Sequence, residues 1–159
     1  MVTVISLPPF SHPHRMDHIH EDFLGTWEYE REEGLDAYLT GRGFTWTQRK
    51  LQIYSPLSIT FANFGEGECC VEQKNPFGRI THIFTPEKAC QEEGIDGIEY
   101  LTLIQMNGST LIVTRIQSGL GRWQAFPEEI THRIENGILV QNLRYKKIEC
   151  KRYFRKKLV

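Results

Sequence analysis

Two Asn-Gly pairs, Asn107-Gly108 and Asn136-Gly137, each stand between runs in which apolar and polar residues alternate, and such a pair is a strong local signal for a tight β-hairpin. After Pro56 the pattern recurs almost without a break. Strand-like runs cover Leu57 to Asn63, Gly67 to Gln73, Arg79 to Thr85, a weak one near Glu87 to Gln91, Ile98 to Gln105, Thr110 to Gln117, Trp123 to Ile134, Ile138 to Tyr145 and Lys147 to Arg155, with glycines between them. An earlier run, Phe23 to Arg31, sets Trp27 and Tyr29 on one face against Thr26, Glu28 and Glu30. Consecutive strands joined by short turns predict an all-β fold, an up-and-down antiparallel β-barrel of about ten strands.

One stretch breaks the two-residue period. Leu35, Tyr38 and Leu39 fall at i, i+3 and i+4, the spacing of one helix face, and Gly41 and Gly43 stop the helix. Thr45-Trp46-Thr47-Gln48 then has the spacing of a capping box for a second short helix running to about Leu51. A two-helix lid is expected between the first and second strands.

The 159 residues fit one domain, and 40% hydrophobic content supports a core. A formal charge of −1 gives no general field for nucleic acid. The basic run Lys146-Lys147 and Lys151 to Lys157 reads as a solvated outer strand face, or as a contact for acidic lipid head groups. No run approaches the 18 or so apolar residues of a membrane span, and the four cysteines have neither disulfide-framework nor CxxC spacing. A cytoplasmic protein is expected, with nuclear access open, monomeric and without a cofactor. Residues 1–22 hold Pro8, Pro9, Pro13 and four histidines, His12, His14, His18 and His20, with no sustained period. They are expected to form a flexible tail ahead of a barrel domain at 23–159, and no metal site is assigned to them, because His-x-His without a packed surround holds zinc or copper loosely.

About eight strands is the limit for a barrel that its own side chains fill, so ten should enclose a cavity. Alternation places three polar groups on the inner face. Ile148, Cys150, Arg152 and Phe154 share one face of the last strand, Leu139, Gln141 and Leu143 one face of the strand before it, and Ile130, His132 and Ile134 one face of the strand before that, with Arg133 outward. A guanidinium on an apolar face keeps its charge and needs an anion or a hydrogen-bond network to meet it. A cavity lined by Arg152 favours a carboxylate.

The residues that carry this reading also resemble a known family. Phe23-Leu24-Gly25-Thr26-Trp27 is similar to the F-x-G-T-W opening of the intracellular lipid-binding proteins, the fatty-acid-binding and retinoid-binding barrels of the calycin superfamily, and the likeness continues through Leu35-Asp36-Ala37-Tyr38-Leu39 to Gly43 and Arg49-Lys50. Asn75-Pro76-Phe77-Gly78-Arg79 resembles the family's S-x-F-[KR]-[NR] segment, and Leu139-Val140-Gln141 with Cys150-Lys151-Arg152-Tyr153-Phe154 resembles its closing strands. The resemblance covers Phe23 to about Lys157. It implies a carrier for one long-chain fatty acid or similar lipid, a retinoid or bile-acid-like ligand being the alternative within the class. Members commonly hold the carboxylate with an Arg-x-Tyr pair on the last strand and a second arginine two strands earlier. Here the pair reads Arg152 and Phe154, and the second position falls on His132, or on Arg133 if the register slips by one residue. Beside a bound carboxylate the protonated form of His132 would be favoured. By the same resemblance the portal is lined by Tyr38, Leu39, Trp46 and Phe77, with Arg42, Arg49, Lys50 and Arg79 as candidate contacts to membranes. A non-enzyme is expected; the competing class is a barrel with weak ester hydrolase activity, using His132 as base and Cys150 as nucleophile.

Overall fold

The structure, a computed structural model, describes residues 18–53, 57–76, 78–93, 98–118 and 126–158. Its strands are β1 (Gly25–Glu33), β2 (Ser58–Asn63), β3 (Cys69–Asn75), β4 (Gly78–Phe84), β5 (Cys90–Glu93), β6 (Glu99–Asn107), β7 (Thr110–Gln117), β8 (Glu128–Glu135), β9 (Ile138–Tyr145) and β10 (Ile148–Lys156). They form one antiparallel sheet in the order β4-β3-β2-β1-β10-β9-β8-β7-β6-β5, curled into a nearly closed barrel with β4 and β5 as its two edges. Helices α1 (Leu35–Gly41) and α2 (Trp46–Ile53) lie between β1 and β2 in the chain.

Local chemistry accounts for these elements. The expected face of α1, Leu35, Tyr38 and Leu39, is buried against Phe44, Ile130, Leu143 and Cys150. The capping box forms: the backbone N–H of Thr45 donates to Gln48 Oε1 at 2.9 Å, and that of Gln48 to Thr45 Oγ1 at 3.3 Å. Asn136 and Gly137, with φ of 52° and 76°, make a two-residue turn between paired Glu135 and Ile138. The other Asn-Gly pair sits one residue off expectation. Asn107 still pairs with Thr110, so the turn is Gly108-Ser109, with Gly108 at φ 60°.

Three boundaries differ from the sequence reading. The weak run at 87–91 becomes a strand only at Cys90, because Glu87 adopts φ 67° in the preceding turn. The run expected from Trp123 is described as strand from Glu128, and residues 123–125 lie outside the described residues. Packing also begins ahead of residue 23. Ile19 is buried, its N–H donates to Asn63 Oδ1 at 2.9 Å and its carbonyl accepts from Asn63 Nδ2 at 2.9 Å. Residues 1–17 of the expected tail lie outside the described residues.

Ile19 joins Phe23, Trp27, Ile59, Phe61, Phe84, Leu111, Leu139 and Phe154 in the larger apolar cluster. The indole N–H of Trp27 donates to the Phe23 carbonyl at 2.8 Å, tying strand β1 to the turn that precedes it. Trp27 is 2% exposed and Trp46 on α2 is 65% exposed. Trp27→Ala should therefore cost about 3–5 kcal/mol, whereas Trp46→Ala should stay within about 0.5 kcal/mol; urea unfolding followed by circular dichroism measures both.

Candidate functional site

The inward rows of β8, β9 and β10 meet in register. Arg152 pairs across with Gln141, Gln141 with His132, and His132 with Leu111. Arg152, Gln141 and His132 are 4%, 5% and 4% exposed. Neighbouring inward residues on one side, Leu139 and Phe154, belong to the larger apolar cluster, and those on the other, Ile130, Leu143 and Cys150, to the cluster beneath α1. The three polar side chains thus form a layer across the lumen between two apolar layers. Arg133 is exposed on the outer face, among Glu129, Thr131, Glu135 and Arg144. It does not reach the lumen, because slipping the register would turn Ile130 and Ile134 to solvent.

Two partners hold the His132 ring. Its Nδ1 lies 3.2 Å from the Leu111 carbonyl and its Nε2 lies 3.1 Å from Gln141 Nε2. Phe61 packs edge-on at 5.9 Å between ring centres. Burial drives the His132 pKa from 6.5 down to about 4, outweighing the Leu111 hydrogen bond, so the ring is neutral at physiological pH. Burial likewise lowers Arg152 to about 10, which leaves the guanidinium charged at neutral pH. Its Cζ lies 5.4 Å from the Tyr29 ring centre and 5.6 Å from that of Phe154.

These groups line an internal cavity of about 100 Å³ together with Ile59, Phe61, Ile104 and Val113. One water needs about 10–15 Å³ measured the same way, so the lumen is hollow. A second polar group inside it escaped the sequence reading. His82 on β4 and Glu92 on β5 meet at 3.0 Å, bridging the two sheet edges, and Thr102 Oγ1 donates to Glu92 at 2.7 Å. Burial raises the Glu92 pKa, but the hydrogen bonds from His82 and Thr102 hold it below the usual carboxylate range.

Glu128 on β8 was also missed. It is 1% exposed and accepts from Tyr38 Oη at 2.6 Å, Arg42 at 2.6 Å and Arg115 at 2.7 Å. Burial opposes its charge, but Arg115 and Arg42 outweigh that and keep the carboxyl ionised. Alternation would have found it, since Glu128 lies in the same inward row as Ile130 and His132.

The expected portal residues divide. Tyr38 and Leu39 are buried, Tyr38 being spent on Glu128, while Trp46 is exposed and Phe77 lies outside the described residues. Of the candidate membrane cations, Arg42 is buried in the Glu128 cluster and unavailable to a surface, because its charge is needed there. Arg49 pairs with Asp36 and Arg79 with Glu72, while Lys50 lies 5.5 Å from the Trp46 ring centre at the surface. No helix among the described residues is long and apolar enough to cross a membrane.

No protein-family model matches the chain. It is 27% identical to the intestinal fatty acid-binding protein of Mus musculus over 137 residues, spanning 84% of this chain and 98% of that one. Against fatty acid-binding protein homolog 2 of Caenorhabditis elegans the identity is 22% over 141 residues, 86% of this chain and 84% of the relative. A Schistosoma mansoni fatty acid binding protein solved in complex with arachidonic acid superimposes with a TM-score of 0.75 at 18% identity, covering 88% of this chain and 99% of that one. The chain has the barrel of the intracellular lipid-binding proteins, and fatty-acid-binding proteins are its sequence relatives.

Within that barrel the buried charges fix stability. Glu128→Gln removes the anion that Arg42 and Arg115 share, and should cost about 3–5 kcal/mol. Denaturant unfolding reads the loss, and hydrogen exchange should rise first in α1. His132 sets the pH response between about 6.5 and 4. The unfolded chain takes up a proton at pH 6.5 and the folded chain only near 4, so stability is complete above 6.5 and falls by on the order of 3 kcal/mol as the pH drops to 4. Melting curves across this range should flatten in His132→Gln.

Proposed function

We propose that the protein is a carrier that binds a long-chain fatty acid or similar lipid in its lumen, with the head group at Arg152, for solubilisation and transport in the cell. The single observation that carries this reading is the layer of Arg152, Gln141 and His132 inside a hollow barrel, flanked on both sides by apolar side chains. An acyl chain supplies the affinity: about 0.8 kcal/mol per buried methylene gives a 16-carbon chain on the order of 12 kcal/mol before the cost of lost freedom. Head-group contact supplies discrimination, because a buried guanidinium gives a carboxylate a charge-assisted hydrogen bond that a neutral head group does not gain in full. Phe154 in place of a tyrosine withholds a hydroxyl from the head group and adds an apolar wall instead.

The lipid relatives supply the ligand class, since their names and one bound arachidonic acid speak of fatty acids. A transient membrane contact fits the exposed Trp46 and the adjacent Lys50 on α2. The hydrolase reading fits poorly. Both ring nitrogens of His132 are engaged, and burial pushes the Cys150 thiol up to about 12, so neither a poised base nor a thiolate is at hand.

Arg152→Gln should weaken binding of a fatty acid by roughly tenfold or more while leaving its methyl ester nearly unchanged. Calorimetric titration of the delipidated protein with both ligands tests this, and equal losses would remove the ion-pair role. Mass spectrometry of lipids extracted from the purified protein identifies the class.

A further inference from the structure

His132 cannot choose its tautomer freely. A backbone carbonyl only accepts, so the Leu111 oxygen at 3.2 Å requires the proton on Nδ1. The neutral ring then offers a lone pair at Nε2, and the Gln141 amide at 3.1 Å must present its NH₂ to it. Gln141 Oε1 is thereby turned away from the ring. It is buried and accepts no hydrogen bond from any described residue, although Gln141 lines the cavity. The cross-strand partner of Gln141 is Arg152, which sets the two Cβ atoms about 4.5–5.5 Å apart. Arg152, a cationic donor, and Gln141, whose Oε1 accepts nothing among the described residues, therefore stand on neighbouring strands of the cavity wall.

We propose that this site selects an acyl lipid whose carboxylate is flanked by a hydrogen-bond donor, as in a 2-hydroxy fatty acid or an N-acyl amino acid, the anion meeting Arg152 and the hydroxyl or amide N–H meeting Gln141 Oε1. The proposal rests on the carrier reading of the same cavity and goes beyond it, because a plain fatty acid has an anion for Arg152 but nothing for Gln141. An acceptor buried without a partner penalises any complex that leaves it so. The donor within two or three bonds of the carboxyl carbon matches the spacing of neighbouring cross-strand side chains.

Calorimetric titration of the delipidated full chain with palmitate, 2-hydroxypalmitate, 2-methoxypalmitate and N-palmitoylglycine tests this. Expected is tighter binding of 2-hydroxypalmitate than of palmitate by roughly fivefold or more, lost in the 2-methoxy compound, which keeps the oxygen but not the donor. N-palmitoylglycine separates the two sources: a matching gain means that any adjacent donor serves, and no gain means that the hydroxyl is the ligand's own mark. Gln141→Met, similar in shape but without the acceptor, should abolish the preference, so that palmitate and 2-hydroxypalmitate bind this variant alike. Equal affinity for palmitate and 2-hydroxypalmitate, or a preference that survives in Gln141→Met, overturns the proposal and leaves the carrier reading standing. Failure to bind any of the four acids overturns both. Nitrogen NMR of the imidazole adds a check independent of the variant: a proton on Nε2 instead of Nδ1 would remove the premise.

Discussion

A carboxylate with almost no solvent exposure needs cations close by, and Glu128 draws its donors from the lid and from a neighbouring strand. Tyr38 belongs to α1, Arg42 follows it directly, and Arg115 stands on β7. Removing such a charge from water costs several kcal/mol, and a pair of guanidinium groups with a phenol hydroxyl is what makes the burial tolerable. The lid is therefore tied to the barrel through the Glu128 carboxylate, in addition to the apolar packing of Leu35 and Leu39. The arrangement also explains why Arg42 can serve no outer surface: its guanidinium carbon lies 4.8 Å from the Phe44 ring centre and its charge is committed inside.

Side chains also meet across the seam where the sheet ends. Strands β4 and β5 are the ends of the hydrogen-bonded order, and edges without a partner strand invite either solvent or another chain. His82 and Glu92 span that seam with side chains instead of backbone. Thr102 donates to the same carboxylate from β6, so the seam is tied to the strand behind it.

Much of this was legible in the sequence because a strand has only two faces. Alternation through Ile130, His132 and Ile134 and through Cys150, Arg152 and Phe154 placed each side chain on the face the structure gives it, and it separated His132 from Arg133. What was lost was pairing over distance. The phenol of Tyr38 was read as part of an apolar helix face, which it is, but its hydroxyl meets a carboxylate 90 residues away. Arg42 and Glu128 are 86 residues apart, and no local pattern links them. Ile19 was assigned to a tail because prolines and histidines surround it, while its burial depends on Asn63 of β2. The shift of one turn to Gly108-Ser109 has a smaller cause: Asn107 can hold an extended conformation, so the following glycine takes the left-handed one.

The two buried polar layers lie four residues apart on β8, at His132 and Glu128, a separation of about 13 Å along a strand. Ile130, Leu143 and Cys150 fill the interval. The lid fastening and the layer of Arg152, Gln141 and His132 are thus chemically separate. Acidification acts on the first through Glu128, whose depressed pKa means that its ion pairs persist above the ordinary carboxylate range and are lost as the pH falls through and below it. It leaves Arg152 charged throughout, since the guanidinium loses its proton only near pH 10. A carboxylate placed beside Arg152 would resist protonation for the same reason that Glu128 does, a fixed cation beside it in a poorly solvated site. Acid therefore reaches the lid fastening through Glu128, while the charge of Arg152 in the other layer stays fixed.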